Sequence, residues 1–237
     1  FFGDFAWKEK TITLTNNTST SKTERTFKNF EAVNVVPGLL WDVWEKEDKH
    51  LTFGAVYHSA YTADVDSITE FTTFSFPKKE HFEINYPMSF GAGLGFRYSD
   101  ALSFSMDVTW TDWSKFEQED DQGNKTPPLG SDESIHKKID DTYAVRFGTE
   151  YLVFRQKMII PVRGGLFYEP RPSLDDPTDV YGVSVGSGIT FKRFSIDAAY
   201  QFRWANNFDG ENYDSLLSDT KFDLNEHFFL ASIIVYF

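Results

Sequence analysis

Residues 86–116, YPMSFGAGLGFRYSDALSFSMDVTWTDWSKF, are two alternating segments joined by a turn at Ser99 and Asp100 that is too short to hold anything else. In the second segment Leu102, Phe104, Met106, Val108 and Trp110 share one parity, while Ser103, Ser105, Asp107, Thr109 and Thr111 share the other. A strand sends successive side chains to opposite faces, so one face is continuous aliphatic and aromatic surface and the other is hydroxyls and a carboxylate. The first segment repeats this, with Phe90, Ala92, Leu94 and Phe96 against Ser89, Gly91, Gly93, Gly95 and Arg97. Such a hairpin needs an apolar medium on one side and water on the other.

The remainder of the chain reads as further segments of the same kind, about ten strands in all. They lie roughly at 4–14, 30–44 and 50–62, then in the opening hairpin, then over 143–154, 159–169, 181–191 and 194–204, and finally up to the C-terminal Phe237. The connections alternate between long and short without exception. Polar stretches at 15–29, 63–81, 117–141, 170–180 and 205–220 alternate with tight turns near 46–49, 99–100, 155–156 and 192. Antiparallel neighbours joined this way gather every long loop at one end and every tight turn at the other. Bacterial outer-membrane barrels have this arrangement, with long loops extracellular and short turns periplasmic, which puts the C-terminus in the periplasm. A closed sheet is also the only sheet that leaves no unpaired edge in lipid.

Composition agrees with that medium. The chain is 41% hydrophobic and 18% aromatic over 237 residues, yet its mean hydropathy is -0.41. No window approaches the roughly 20 apolar residues of a spanning helix, whereas barrel strands average to polar values. The absence of cysteine rules out disulfides and thiolate metal sites. A net charge of -13 argues against nucleic acid as a partner.

The inward parity carries the charges. Asp107, Arg146, Glu150, Arg163, Glu169, Asp197 and Arg203 come from successive strands with mixed signs, and an unpaired charge cannot be buried cheaply. They are the candidate ligand-binding residues, with Arg146 and Arg163 presenting bidentate guanidinium forks to a carboxylate. The alternative is a ladder of cross-strand ion pairs lining the wall. Gly182, Gly186 and Gly188 on the same face make room for a ligand or plug, or permit curvature. The tryptophans Trp7, Trp41, Trp44, Trp110, Trp113 and Trp204 stand near strand ends, as an interfacial girdle requires. Acidic clusters at Asp175, Asp176 and Asp179 and at Glu119, Asp120 and Asp121 are solvated loops or weak cation sites. His58 lies inward, and no strand shows serine and histidine on one outward face, so no enzyme is expected. No phosphate-binding loop is present and no cofactor is expected.

The blocks YPMSFGAGLGFRYSDALSFSMDVTWTDWSKF, YAVRFGTEYLV and IPVRGGLFYEPRP, with Trp113-Ser114 and Phe116 closing the first, resemble the C-terminal part of the FadL family of outer-membrane transport proteins. The resemblance runs from about Phe30 onward. It implies a fourteen-stranded barrel of Gram-negative bacteria, an N-terminal plug, and passive uptake of long-chain fatty acids or other hydrophobic molecules. By that standard the chain is short: residues 1–237 are expected to be one barrel domain lacking the plug and first strands. Expected partners are outer-membrane lipid and lipopolysaccharide, a hydrophobic solute, and the barrel assembly machinery through Phe237. The alternative function is a non-transporting barrel of the same family that binds proteins or assists secretion.

Overall fold

The structure is a computed structural model and describes residues 7–15, 19–71, 77–126, 139–173, 177–209 and 221–236. Among them fifteen strands form: β1 Trp7–Thr15, β2 Ser19–Ala32, β3 Gly38–Lys46, β4 Lys49–His58, β5 Tyr61–Phe71, β6 Lys78–Tyr86, β7 Ser89–Arg97, β8 Leu102–Thr111, β9 Glu117–Asp120, β10 Lys125–Thr126, β11 Thr142–Phe154, β12 Ile159–Tyr168, β13 Tyr181–Thr190, β14 Phe194–Asp209 and β15 Lys221–Val235. The fold class is the expected one, all-β and antiparallel.

Nine strands make the main sheet in the order β15-β14-β13-β12-β11-β8-β7-β4-β3, and six make a second in the order β1-β2-β5-β6-β9-β10. The second continues the first. The chain passes from β2 to β3, β4 to β5, β6 to β7 and β8 to β9 through short links, so four traverses serve both sheets in the same neighbour order. Counted as traverses, and leaving aside the two-residue β10, the strands number the ten expected. Three stretches expected to be polar connections instead prolong the hairpins as β2, β5–β6 and β9–β10. Their signal is weak because the buried parity of β5 is Ala63, Val65, Ser67 and Thr69, small and hydroxylated residues that do not register as an apolar face. The edges β3 and β15 do not pair with each other, so the sheet is not closed within the described residues.

Among the described residues the main sheet has no core beneath its apolar face. Val185 and Leu166 are each 60% exposed, and Leu94, Met106, Phe147, Tyr151 and Val162 are exposed with them. Ala63, Val65, Phe82, Ile139, Val180 and Ala205, the buried apolar residues, all lie elsewhere. A water-soluble sandwich would cover that face; an apolar face left uncovered by protein is what the outside of an outer-membrane barrel presents. Ten residues in β13 at about 3.3 Å each, tilted roughly 45°, span about 23 Å, close to the apolar band of outer-membrane barrels.

Aromatic rows bound that band. Tyr57, Phe90, Trp110 and Tyr143 lie in one outward register row. Tyr168, Tyr181 and Trp204 form another, with ring centroids 5.3 and 6.1 Å apart. Toward the tight turns the rings of Phe191 and Phe194 close the other side at 4.7 Å. Trp41 and Trp44 face outward on β3, Trp44 after a register shift. Trp113 departs from the girdle expectation. It stands in a 3-10 turn, donates from Nε1 to Thr142 Oγ1 at 2.8 Å and packs on Phe116, so it anchors the start of β11. The side chain of Trp7 and the terminal Phe237 lie outside the described residues.

Candidate functional site

The inward face of the main sheet is built from register rows. One row runs Asp107, Arg146, Phe167, Gly182, Arg203 and Glu226 across β8, β11, β12, β13, β14 and β15. Residues directly opposite in antiparallel strands share a face, so strand period and register together bring these side chains to one wall.

All seven charged residues singled out from the sequence meet there. Arg146 donates from Nη1 to Asp107 at 2.9 Å and from Nε to Glu169 at 2.6 Å. Arg163 donates from Nε to Glu150 at 2.7 Å and from Nη1 to Asp197 at 2.6 Å. Arg203 lies 3.4 Å from the second Glu169 oxygen. With its amide oxygen turned toward Arg203, Gln201 accepts from Nη2 at 3.1 Å and Nε at 2.9 Å. Four carboxylates therefore serve three guanidiniums, and Arg146 and Arg163 each engage two of them. This geometry is that of the ion-pair ladder. Each pair is partly solvated, so the single links are worth roughly 0–1 kcal/mol and the wall gains mainly through the network.

Two bridges cross β13, which is bare beneath them. Arg163 on β12 reaches Asp197 on β14 over Gly186 and Gly188. A Cβ on Gly188 would stand 2.5 Å from Asp197 Oδ1 and 2.6 Å from the Ile196 carbonyl oxygen. The space above Gly182 holds the Phe167 ring, which a Cβ there would meet at 2.0 Å. These glycines thus leave room for neighbouring side chains of the wall itself.

Three contacts carry no sequence signal beyond parity. Arg203 sits between the rings of Phe167 and Phe228, 5.4 and 5.2 Å from their centroids. Arg171, in the β12–β13 connection, reaches Glu226 on β15 at 2.7 Å. Both aromatics have the inward parity of their strands, but they were not separable from core residues. Nothing in the order of residues joins Arg171 to Glu226, which lies 55 positions away. The ladder residues line a trough of about 840 Å³ together with Phe167, Ala199 and Leu230, and Phe228 and Glu226 stand beside it, opposite Gln201 and Arg203 in the β14–β15 register.

The other candidates do not join it. His58 faces inward opposite Ser89 at the far end of β4. Asp120 accepts from the Gln122 and Asn124 backbone N–H groups and from Asn124 Nδ2, closing its own turn, and Glu119 lies 3.6 Å from Lys125. Asp179 accepts from the Tyr168 hydroxyl at 2.6 Å, while Asp175 and Asp176 lie outside the described residues. No group of three or more metal-ligating side chains converges among the described residues.

Residues 8–227 match a family described as outer membrane protein transport protein (OMPP1/FadL/TodX). No curated protein matches the chain. Among solved structures, the CymD monoaromatic hydrocarbon channel is similar at 12% identity with a TM-score of 0.41, covering 85% of this chain and 73% of that one.

Proposed function

The chain belongs to the OMPP1/FadL/TodX family of outer-membrane transport proteins, and from that premise we propose that it forms the wall of a passive uptake channel for hydrophobic small molecules. The observation that supports this most directly is the two-faced sheet. Its outer surface is apolar and uncovered, while its inner surface combines charges with a trough large enough for a small ligand, which commonly occupies 300–1,000 Å³. The long-loop end faces the outside and the tight turns face the periplasm. Phe237 is the contact for the assembly machinery, and the outer surface meets lipid and lipopolysaccharide. Solutes move down their gradient without nucleotide or cofactor. Long-chain fatty acids are the finer expectation, which turns on whether the wall offers a carboxylate a free cation.

The test is initial uptake of naphthalene by cells whose outer membrane carries the complete protein, against cells carrying none. A several-fold faster uptake is expected. An unchanged rate, with folded protein present in the membrane, overturns the reading. The ladder lends some support to a second reading, a non-transporting barrel that assists secretion, because it fills the wall. That reading predicts unchanged uptake together with loss of a secreted protein from the cell surface on deletion.

A further inference from the structure

Every guanidinium in the trough is already engaged. Arg146 and Arg163 each hold two carboxylates, Arg203 holds Glu169 and is covered by two rings, and beside the trough Arg171 holds Glu226. With Arg171 and Glu226 included, five carboxylates stand against four guanidiniums, so the wall keeps one negative charge. Among the described residues a solute carboxylate entering it meets no unpaired guanidinium. It would have to displace a protein carboxylate at 2.6–3.4 Å and leave that group unpaired beside it. The apolar surface, by contrast, is available. Phe228 and Leu230 project inward and are exposed, and Phe167, lying over Gly182, meets Arg203 from the side opposite Phe228 in the sheet.

Resting on the uptake reading above, we infer that Glu169 and Glu226 are specificity-determining residues: by occupying Arg203 and Arg171 they turn the trough against carboxylates and leave it to uncharged hydrophobic solutes. Glu226 stands directly opposite Arg203 in the β14–β15 register, yet is bonded to Arg171. Glu169 serves Arg146 and Arg203 at once. Removing the charge of Glu169 exposes the Arg203 guanidinium, which is flanked by Phe167 and Phe228 and suits an aromatic acid: rings against rings, carboxylate against the fork; removing that of Glu226 releases Arg171 at the margin of the same wall. Discrimination then rests on an occupied cation more than on an attractive contact with the preferred solute.

The experiment compares naphthalene with 2-naphthoate, which share a ring system and differ by one charge. Binding to the complete folded protein in detergent is followed by solute fluorescence, and uptake is followed in cells. In the native protein naphthalene is bound and taken up in clear preference to 2-naphthoate. In Glu169→Gln and, separately, Glu226→Gln, the ratio of the two affinities moves about tenfold toward 2-naphthoate, as expected for a gained charged hydrogen bond. Heat-modifiable gel migration confirms folding of each variant, and either variant suffices if the other fails to fold. A native protein that binds 2-naphthoate as well as naphthalene, or a ratio unmoved in a folded variant, overturns the inference while leaving uptake standing. Failure to take up either solute removes the uptake reading and the inference with it.

Discussion

The Arg163 guanidinium passes over β13 to reach Asp197 on β14, Nη1 to Oδ1 at 2.6 Å, and the strand beneath it presents glycine at both positions it crosses. A bridge between next-nearest strands is about twice as long as one between neighbours, because strands lie about 4.8 Å apart. It forms only where the middle strand stays low.

Substituting those glycines tests this directly. Gly188→Ala brings a Cβ to 2.6 Å from the Ile196 carbonyl oxygen, which is backbone and cannot swing away. A loss of about 1–3 kcal/mol is expected, as for overpacking elsewhere. Gly95→Ala, where a Cβ meets nothing within 4 Å, is expected to be near neutral. Urea unfolding from lipid vesicles reads both, and equal effects would remove the steric argument.

A double-mutant cycle on Arg163→Gln and Asp197→Asn separates the ladder from a receptor role. The two side chains are partly solvated, so a coupling of about 0.5–1 kcal/mol is expected. If Arg163 instead receives solute, the single Arg163→Gln variant loses uptake of carboxylates far beyond its loss of stability. The structure predicts no such excess, since both of its carboxylate partners are already bound.

Legibility in the sequence followed the strand period. Asp107, Arg146, Glu150, Arg163, Glu169, Asp197 and Arg203 could be assigned to one wall because parity alone determines the face, and all seven are found there. Their pairing could not be read. Glu169 lies opposite neither Arg146 nor Arg203, and diagonal contacts depend on register and side-chain length. The six-stranded sheet was hidden for a different reason. Ala63, Ser67 and Thr69 are buried as fully as apolar residues but look polar or neutral in a hydropathy pattern, so the extension read as loop. Arg171 and Glu226 meet only because the β12–β13 connection leans across two strands.

The six-stranded sheet lies beyond the aromatic rows and is expected to respond to pH through His81. Its Nδ1 is 3.0 Å from Asp66, which also accepts from Asn29 Nδ2 at 2.6 Å, and its Nε2 is 3.7 Å from Asp64. The hydrogen bond to Asp66 raises the His81 pKa above 6.5, aided by the charges of Asp66, Asp121 and Asp64 and opposed by burial. Asp66 is lowered below 3.8, first by His81 and then by Asn29. The raised histidine stabilises fully below pH 6.5 and loses its contribution as pH climbs through its elevated pKa. The lowered carboxylate contributes above pH 3.8 and fails as pH falls through its depressed value. This pair therefore stabilises the sheet most between those limits and less in alkali. In Asp66→Asn the His81 ring, followed by NMR, should titrate at lower pH; an unchanged midpoint would break the link.

Val185 offers the sharpest test of which medium covers the main sheet. It lies on the outward parity of β13, four residues from Tyr181 in the aromatic row and five from the end of the strand. That places it near the middle of the apolar band. Val185→Arg would put a guanidinium in hydrocarbon and is expected to cost about 2–4 kcal/mol of stability in lipid vesicles. Glu83→Arg, on β6 of the six-stranded sheet, presents the same side chain to water and is expected to stay within about 0.5 kcal/mol of the native protein. A face exposed to water would accept arginine at both positions with little change. Depth dependence, large at Val185 and small at Glu83, is the signature of lipid on one and water on the other, and equal small costs would mean that the apolar face meets water.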